Sequence, residues 1–279
     1  MNEKLIVTAA LVGNGTTKAK APSVPYTADE IARDAVICAK AGAAIIHIHV
    51  RDDEGRPTMD TQRFINAHTA ARKALNAAGL DAILNLSTGG LGSDELRTAH
   101  IEAVKPEMCS YNPGSINWGT AFVYLNPPSL MERLGHVCQK TGTKPEIEIF
   151  DTAMFTNVVD CCKAGILKAP CHFQFIMGIP GGMNGNIKNV SFLLDLLPAG
   201  STWSITGIGR SHIPMMLAGL AAGSNGIRVG LEDNILMSKG VVASNESLVK
   251  RAVELGKLAG REIATAAEAR TILGVKRPE

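Results

Sequence analysis

Two histidines, His47 and His49, flank one isoleucine in Ile45-Ile46-His47-Ile48-His49-Val50-Arg51, a run that alternates as a β-strand does. Side chains at i and i+2 of a strand leave the same face. The two imidazoles therefore project side by side, a few ångströms apart, as two cis ligands of one metal must. The plainer alternative is a pair of neutral rings bonded to backbone or to Asp52. Zinc or a similar divalent ion would want a third ligand and an open position. Glu146, Glu148, Glu232, Asp233 and His172 are the candidates. Glu232 is favoured because it ends a strand-like run whose same face carries Arg228, with Asp233 following at once; a solvated acidic loop is the alternative for that pair.

Glycine-rich turns form a second class of candidates. Asn85-Leu86-Ser87-Thr88-Gly89-Gly90 and Thr206-Gly207-Ile208-Gly209-Arg210 each bring small residues and backbone N–H groups to the start of a helix, an arrangement suited to oxyanions. Ile179-Pro180-Gly181-Gly182-Met183 is a third such stretch, equally readable as a turn without a ligand. The chain has no GxSxG elbow, no P-loop and no HExxH, and no cysteine sits in a recognisable nucleophile context. No lysine is expected on an inner strand face, Lys144 being placed before its strand, which disfavours Schiff-base chemistry.

Something must hold these residues together. Short β-branched runs, at 5–10, 44–50, 82–86, 108–110, 145–150, 172–177, 202–205 and 226–229, alternate with amphipathic stretches. Helices are expected at 28–41, 61–78, 94–104, 129–141, 157–164, 188–197 and 213–222, with two more at 245–258 and 264–273. Thr27 with Glu30 reads as a capping box, and Gly42 as the stop of the same helix. Strand–helix units at spacings near thirty residues point to a parallel sheet, and their number fits a closed (β/α)₈ barrel, a TIM barrel, as a single domain over residues 1–279 with extra C-terminal helices. A doubly wound open sheet is the competitor, but no GxGxxG follows the first strand. In five strands the apolar residues share one parity and the ionisable or amide residues the other: His47, His49 and Arg51; Asn85 and Ser87; Glu146 and Glu148; His172 and Gln174; Arg228 and Glu232. A polar cavity is expected where those faces converge, its charges compensated by a metal, a ligand or one another.

Composition narrows the class. Of the 279 residues 46% are apolar and 19% charged, enough to bury a core, and a net charge of +2 does not suit an electrostatic nucleic-acid binder. No apolar run approaches a membrane span. The start, Met1-Asn2-Glu3-Lys4, lacks the layout of a signal peptide, and six cysteines without a CxxC pair read as reduced thiols, so a cytoplasmic protein is expected.

Four segments carry a resemblance over nearly the whole chain and in one order: His47-Ile48-His49-Val50-Arg51-Asp52, Asn85-Leu86-Ser87-Thr88-Gly89-Gly90, Pro145-Glu146-Ile147-Glu148-Ile149-Phe150-Asp151 and Arg228-Val229-Gly230-Leu231-Glu232-Asp233-Asn234. Together they resemble the β-keto acid cleavage enzyme family, whose type enzyme acts on 3-keto-5-aminohexanoate. The resemblance implies a (β/α)₈ barrel, a homo-oligomer with a tetramer favoured, and zinc held by His47, His49 and Glu232. The implied reaction takes a β-keto acid and acetyl-CoA to acetoacetate and a new acyl-CoA, with no nucleic acid or membrane involved. On this reading zinc polarises the ketone and Asp233 is the base, assigned to the acetyl group of the thioester. Arg228 orients Asp233 or binds a carboxylate, and Ser87, Gly89 and Gly90 hold the carboxylate of the substrate. Glu148, Asn112 and Ser115 are counted with the substrate site, the last two within Ser110-Tyr111-Asn112-Pro113-Gly114-Ser115. The turn of Gly207, Gly209 and Arg210 is assigned to CoA. Asn14 stands where the family's amine-binding glutamate falls, so 3-keto-5-aminohexanoate is not the expected substrate. A metal-dependent hydrolase of barrel type and a non-catalytic small-acid binding protein are the competing functions.

Overall fold

The computed structural model describes residues 4–277; Met1–Glu3, on which part of the signal-peptide reading rests, and residues 278–279 lie outside the described residues. Eight strands, β1 (Ile6–Ala10), β2 (Ile45–Ile48), β3 (Ile83–Leu86), β4 (Met108–Tyr111), β5 (Lys144–Ile149), β6 (His172–Met177), β7 (Thr202–Gly207) and β8 (Gly226–Val229), close into a parallel barrel in which β8 pairs with β1. The helices are α1 (Ala28–Ala41), α2 (Thr61–Ala77), α3 (Asp94–Val104), α4 (Pro128–Thr141), α5 (Ala153–Lys163), α6 (Ile187–Asp195), α7 (His212–Ala221), α8 (Asn245–Leu258) and α9 (Ala266–Leu273). The expected TIM barrel is the observed fold. No helix among the described residues is long and apolar enough to cross a membrane.

The strands are buried on both faces, and their two parities do different work. Ile46, Ile48, Leu84, Leu86, Ile147, Ile149, Phe173 and Phe175 join the apolar layer under the helices. The inward parity changes character along the barrel axis. Ile6, Ile45, Ile83 and Met108 cluster with Ala269 and Leu273 of α9 and close the lower end. One step up, His47 lies in register with Asn85, and His172 with Glu146. Above them come His49, Ser87 and Glu148, at the end where the βα loops meet. An apolar floor beneath a polar upper barrel follows directly from the order of residues in each strand.

Local signals account for most helix ends. Thr27 Oγ1 accepts from Glu30 N (3.2 Å), Glu30 Oε2 accepts from Thr27 N (3.1 Å), and Gly42 ends α1 at φ 111°. Helix α5 begins at Ala153 rather than Asn157. Its cap residue, Thr152, makes no side-chain cap, and Asp151 Oδ1 instead accepts from Ala153 N at 3.1 Å. Lys144 belongs to β5 instead of preceding it and shares the parity of Glu146 and Glu148, which corrects the expectation that no lysine has that parity; it is the first residue of the strand, and its amine donates to Pro170 O at 2.8 Å. Three hairpins that the periodicity does not announce decorate the upper loops: Val50–Arg51 with Pro57–Thr58, Ile116–Trp118 with Phe122–Tyr124, and Leu236–Ser238 with Val241–Val242.

Candidate active site

His47 ends its run inside the barrel fully buried, and His49 leaves the strand just above it. Glu232, two residues past the close turn at Gly230 (φ 147°), folds back over them. Its Oε2 lies 3.6 Å from His47 Nε2 and its Oε1 lies 3.4 Å from His49 Nε2. A tetrahedral ion with bonds of about 2.1 Å keeps its ligand atoms about 3.4 Å apart, the separation observed. Both ring nitrogens of His47 and Glu232 Oε2 are buried without a hydrogen-bond partner. Orphaned acceptors converging at this spacing are what a missing cation leaves behind, and the three residues fit a divalent metal. His172 and Glu146, rival third ligands, are not part of this cluster, although Glu146 Oε1 is also without a partner. His172 Nδ1 meets Thr202 Oγ1 (2.9 Å), and Glu146 Oε2 accepts from Asn85 Nδ2 (2.7 Å). Asp52 is no partner of the histidines, because Arg56 takes its carboxylate at 2.7 Å.

Arg228 organises the carboxylates. Its Nε donates to Asp233 Oδ2 (2.9 Å), Nη1 to Glu148 Oε1 (2.9 Å), and Nη2 to Glu232 Oε1 (2.6 Å) and Asp233 Oδ1 (3.0 Å). Thr206 Oγ1 donates a further bond to Asp233 at 3.3 Å. One guanidinium faces three acids, of which Glu148 and Asp233 are buried and Glu232 half-buried, an acid-rich setting suited to a divalent ion. Burial raises the carboxyls of Glu148, to about 8, and of Asp233, against the pull of Arg228. Burial acts on Glu232 in the same direction, but Arg228 and the two histidines overcome it and hold that carboxyl well below its usual range. Burial also keeps His47 neutral, its pKa lowered to about 3.

These groups open into a cavity of about 480 Å³ at the upper end of the barrel. Asn14, His49, Ser87, Gly89, Gly90, Glu232, Asp233 and Arg228 line it from the loops and ends of β1, β2, β3 and β8, with Pro57 and Leu91 at the same side; Trp118, Phe122, Tyr124, Phe150, Ile176, Ile179 and Ile208 line it from β4 to β7, with Glu148 among them. The polar groups are thus concentrated on one side of the rim, and Glu148 is the acid of the other.

Most of the residues singled out in the sequence meet here, but not all. Asn14 reaches the mouth, where its Nδ2 donates to Gly89 O (3.1 Å). Gly89 N is already used by Ser87 Oγ (3.0 Å), so this amide braces the serine rather than standing free. Arg51 turns away from the histidines and ties the first loop down through Gly13 O and Thr16 O. Asn112 is buried beneath the cavity lining with its amide unpartnered, while Ser115 is exposed and accepts from Asn126 N (2.7 Å) at the foot of a hairpin. Ser115 is therefore outside the lining. Gly209 N donates to Asp233 O (3.1 Å), and a side chain at Gly207 would strike Ser211 O at 2.1 Å, so this turn supports Asp233 and packs tightly. Arg210 is exposed beyond the lining.

Gly13 was not foreseen. A Cβ there would stand 2.4 Å from Glu232 Cγ, and one on Gly89 would stand 2.8 Å from Tyr124 Oη. Only the glycine pair flanking Asn14 hinted at the first. The aromatic hairpin wall was also missed, for want of any strand alternation long enough to announce it.

Two histidines and a glutamate that could hold a metal ion stand at the upper end of this (β/α)₈ barrel, next to an arginine-held aspartate, where enzymes of this fold carry their active sites. Its family is equally plain: residues 4–275 match the profile of the beta-keto acid cleavage enzymes, and the chain belongs to that family. It is 40% identical to the 3-keto-5-aminohexanoate cleavage enzyme of Fusobacterium nucleatum, over 99% of this chain and 100% of that one. It is 34% identical to the 3-oxoadipate:acetyl-CoA acetyltransferase of Cupriavidus necator, over 99% and 96%. Among solved structures, apo ObcA superposes with a TM-score of 0.78 at 23% identity, covering 91% of this chain and 66% of that one, a likeness of fold.

Proposed function

We propose that the protein is a metal-dependent acyltransferase that converts a β-keto acid, R–CO–CH2–COO⁻, and acetyl-CoA into acetoacetate and R–CO–S-CoA. The observation that carries this reading is the meeting of His47, His49 and Glu232 beside an aspartate gripped by Arg228. His47, His49 and Glu232 would hold a divalent ion, zinc by the donor set, and when bound it would supply Lewis-acid chemistry that makes the C–H beside a ketone more acidic.

The residues supply the rest. Ser87 Oγ, oriented by Gly89 N, donates to the carboxylate of the acid, with Gly90 N–H beside it. Asp233 takes the proton from C2 of the β-keto acid. That C–H lies between a ketone and a carboxylate and is a stronger acid than the acetyl methyl of a thioester. Attack from C2 also leaves the substrate's carboxylate in acetoacetate, which replaces the sequence-based assignment of this base to the acetyl group. C2 then bonds to the acetyl carbonyl carbon, and the CoA thiolate leaves. The thiolate adds to the original keto carbon and the C2–C3 bond breaks. Asp233 returns its proton to C2, so the enzyme ends unchanged. Arg228 holds Asp233 through two hydrogen bonds throughout, fixing the oxygen that moves the proton. Glu148 shares that arginine. Asn112 keeps a place among the substrate contacts because its amide has no other partner, and Arg210 is assigned to a phosphate of CoA.

Asn14 offers an ammonium group an amide instead of a carboxylate, which supports a substrate other than 3-keto-5-aminohexanoate. Six free cysteines support a reducing, cytoplasmic location. Exposed Ile187, Phe192 and Leu217 on α6 and α7 support a homo-oligomer. The test is acetoacetate formation by metal-replete protein from β-keto acids with acetyl-CoA. Turnover that ignores the thioester would instead support the hydrolase.

A further inference from the structure

The division of the rim has a chemical meaning. The groups assigned to the reaction stand on the side of β8, β1, β2 and β3. Facing them, Trp118, Phe122, Tyr124, Phe150, Ile176, Ile179 and Ile208 form an apolar arc from β4 to β7, interrupted by Glu148 of β5, whose carboxylate is turned to Arg228 at 2.9 Å. We propose that this arc holds the chain beyond C4 of the β-keto acid, and that the substrate carries an uncharged hydrocarbon tail. The inference rests on the acyl-transfer reading above and adds the class of acid.

The wall is preformed. Trp118 stacks on Phe122 with centroids 5.8 Å apart and planes within 8°, and Tyr124 meets Phe150 edge-on at 6.3 Å. Gly119 N donates to Pro180 O (3.1 Å), tying the aromatic hairpin to the loop after β6. Arg97 holds its other end, donating to Thr88 O (3.0 Å), Leu125 O (2.7 Å) and Asn126 Oδ1 (2.7 Å), with its guanidinium 5.7 Å from the Tyr124 ring centre.

Nothing on the arc answers a charge. The arginine of the lining, Arg228, is committed to Glu148, Glu232 and Asp233, and Arg97 spends its donors on the hairpin behind Tyr124. A distal carboxylate would therefore be desolvated without a cation. A distal ammonium would lie far from a free acid, since Glu148 is taken by Arg228 at 2.9 Å. A quaternary ammonium needs open aromatic faces around it; here Phe122 covers one face of Trp118, and three isoleucines complete the arc.

The test compares kcat/KM of the metal-loaded enzyme for 3-oxohexanoate, 3-oxooctanoate, 3-oxoadipate and 3-oxo-4-(trimethylammonio)butanoate, with acetyl-CoA as partner and acetoacetate as readout. The apolar acids should exceed both charged ones by at least about 100-fold. Ile179→Arg should shift that ratio toward 3-oxoadipate by at least about tenfold, and Trp118→Ala should lower kcat/KM for 3-oxooctanoate by about tenfold while KM for acetyl-CoA stays within about twofold. Equal or better turnover of a charged acid overturns the inference and leaves the acyl-transfer reading standing. So does a change confined to the KM of acetyl-CoA in both variants, which would give the arc to the pantetheine arm. No acetoacetate from any of the four acids overturns both.

Discussion

Gly13 leaves room for Glu232: the Cβ of any other residue there would stand 2.4 Å from Cγ and 3.1 Å from Cδ of that glutamate. The first loop of the chain thus shapes the place of Glu232, the last of the proposed metal ligands. Gly13→Ala should push the carboxylate out of line with His47 and His49 and weaken metal binding by about 10–100-fold, as loss of a ligand-orienting contact does. Zinc affinity by chelator competition measures it. Wild-type affinity in the variant would show that Glu232 tolerates the displacement or is not a ligand.

Removing a ligand and removing the base should separate cleanly. Glu232→Ala should abolish stoichiometric metal, read by elemental analysis after gel filtration, and activity with it. Asp233→Asn should retain the metal while kcat falls by about 10²–10⁴-fold, the usual worth of a positioned base. An Asp233→Asn enzyme that turns over normally would falsify the assignment of the base.

Chelation should cost stability as well as turnover, because Arg228 is then left to balance Glu148, Glu232 and Asp233 alone. The melting temperature should rise on titrating zinc into the stripped protein, following mass action. A flat titration would show that no structural site fills.

Asn14→Glu restores an acid at the mouth beside Gly89. It should raise kcat/KM for 3-keto-5-aminohexanoate, relative to 3-oxohexanoate, by at least about tenfold through the ion pair. An unchanged ratio would place the discriminating contact in another loop.

His100 offers a pH test away from the metal. Its Nε2 meets Ser87 O at 2.9 Å, its ring stacks on Phe64 at 4.0 Å, and burial lowers its pKa to about 3. Below its unfolded pKa of about 6.5 the unfolded chain binds a proton that the folded chain refuses, so this ring's contribution to stability falls as pH falls. Burial gives Glu148 the opposite sign, raising it to about 8, so the whole protein's curve mixes the two. The difference between wild type and His100→Gln isolates the ring. The wild type should lose about 2 kcal/mol relative to the variant between pH 6.5 and pH 5, measured by urea unfolding. A constant difference would mean that the ring takes up its proton in the fold as readily as in the unfolded chain.

The alternation along β2, β3, β5, β6 and β8 was enough to tell which side chains face the barrel axis, but Glu232 does not end its strand as expected: β8 stops at Val229, and the turn at Gly230 brings Glu232 to His47 and His49. Parity says nothing about height. Glu146 and Glu148 have the same parity, yet the first is held by Asn85 a layer below and the second meets Arg228. Only the pairing of His172 with Glu146 separates the levels. The embrace of Glu232 by Gly13 was equally hidden, because it joins opposite ends of the chain through one missing methyl. The surroundings of Asn112 and Ser115 were hidden for a related reason. The turn between β4 and the next hairpin leaves Asn112 buried and Ser115 exposed.

The split rim bears on how such a protein can change over time. The groups proposed to make and break bonds are anchored on four neighbouring staves, and the opposite four, Glu148 apart, furnish the greasy wall. Substitutions at 118, 124, 179 or 208 can therefore retune appetite while the engine keeps running, and drift in diet need not pass through an inactive ancestor.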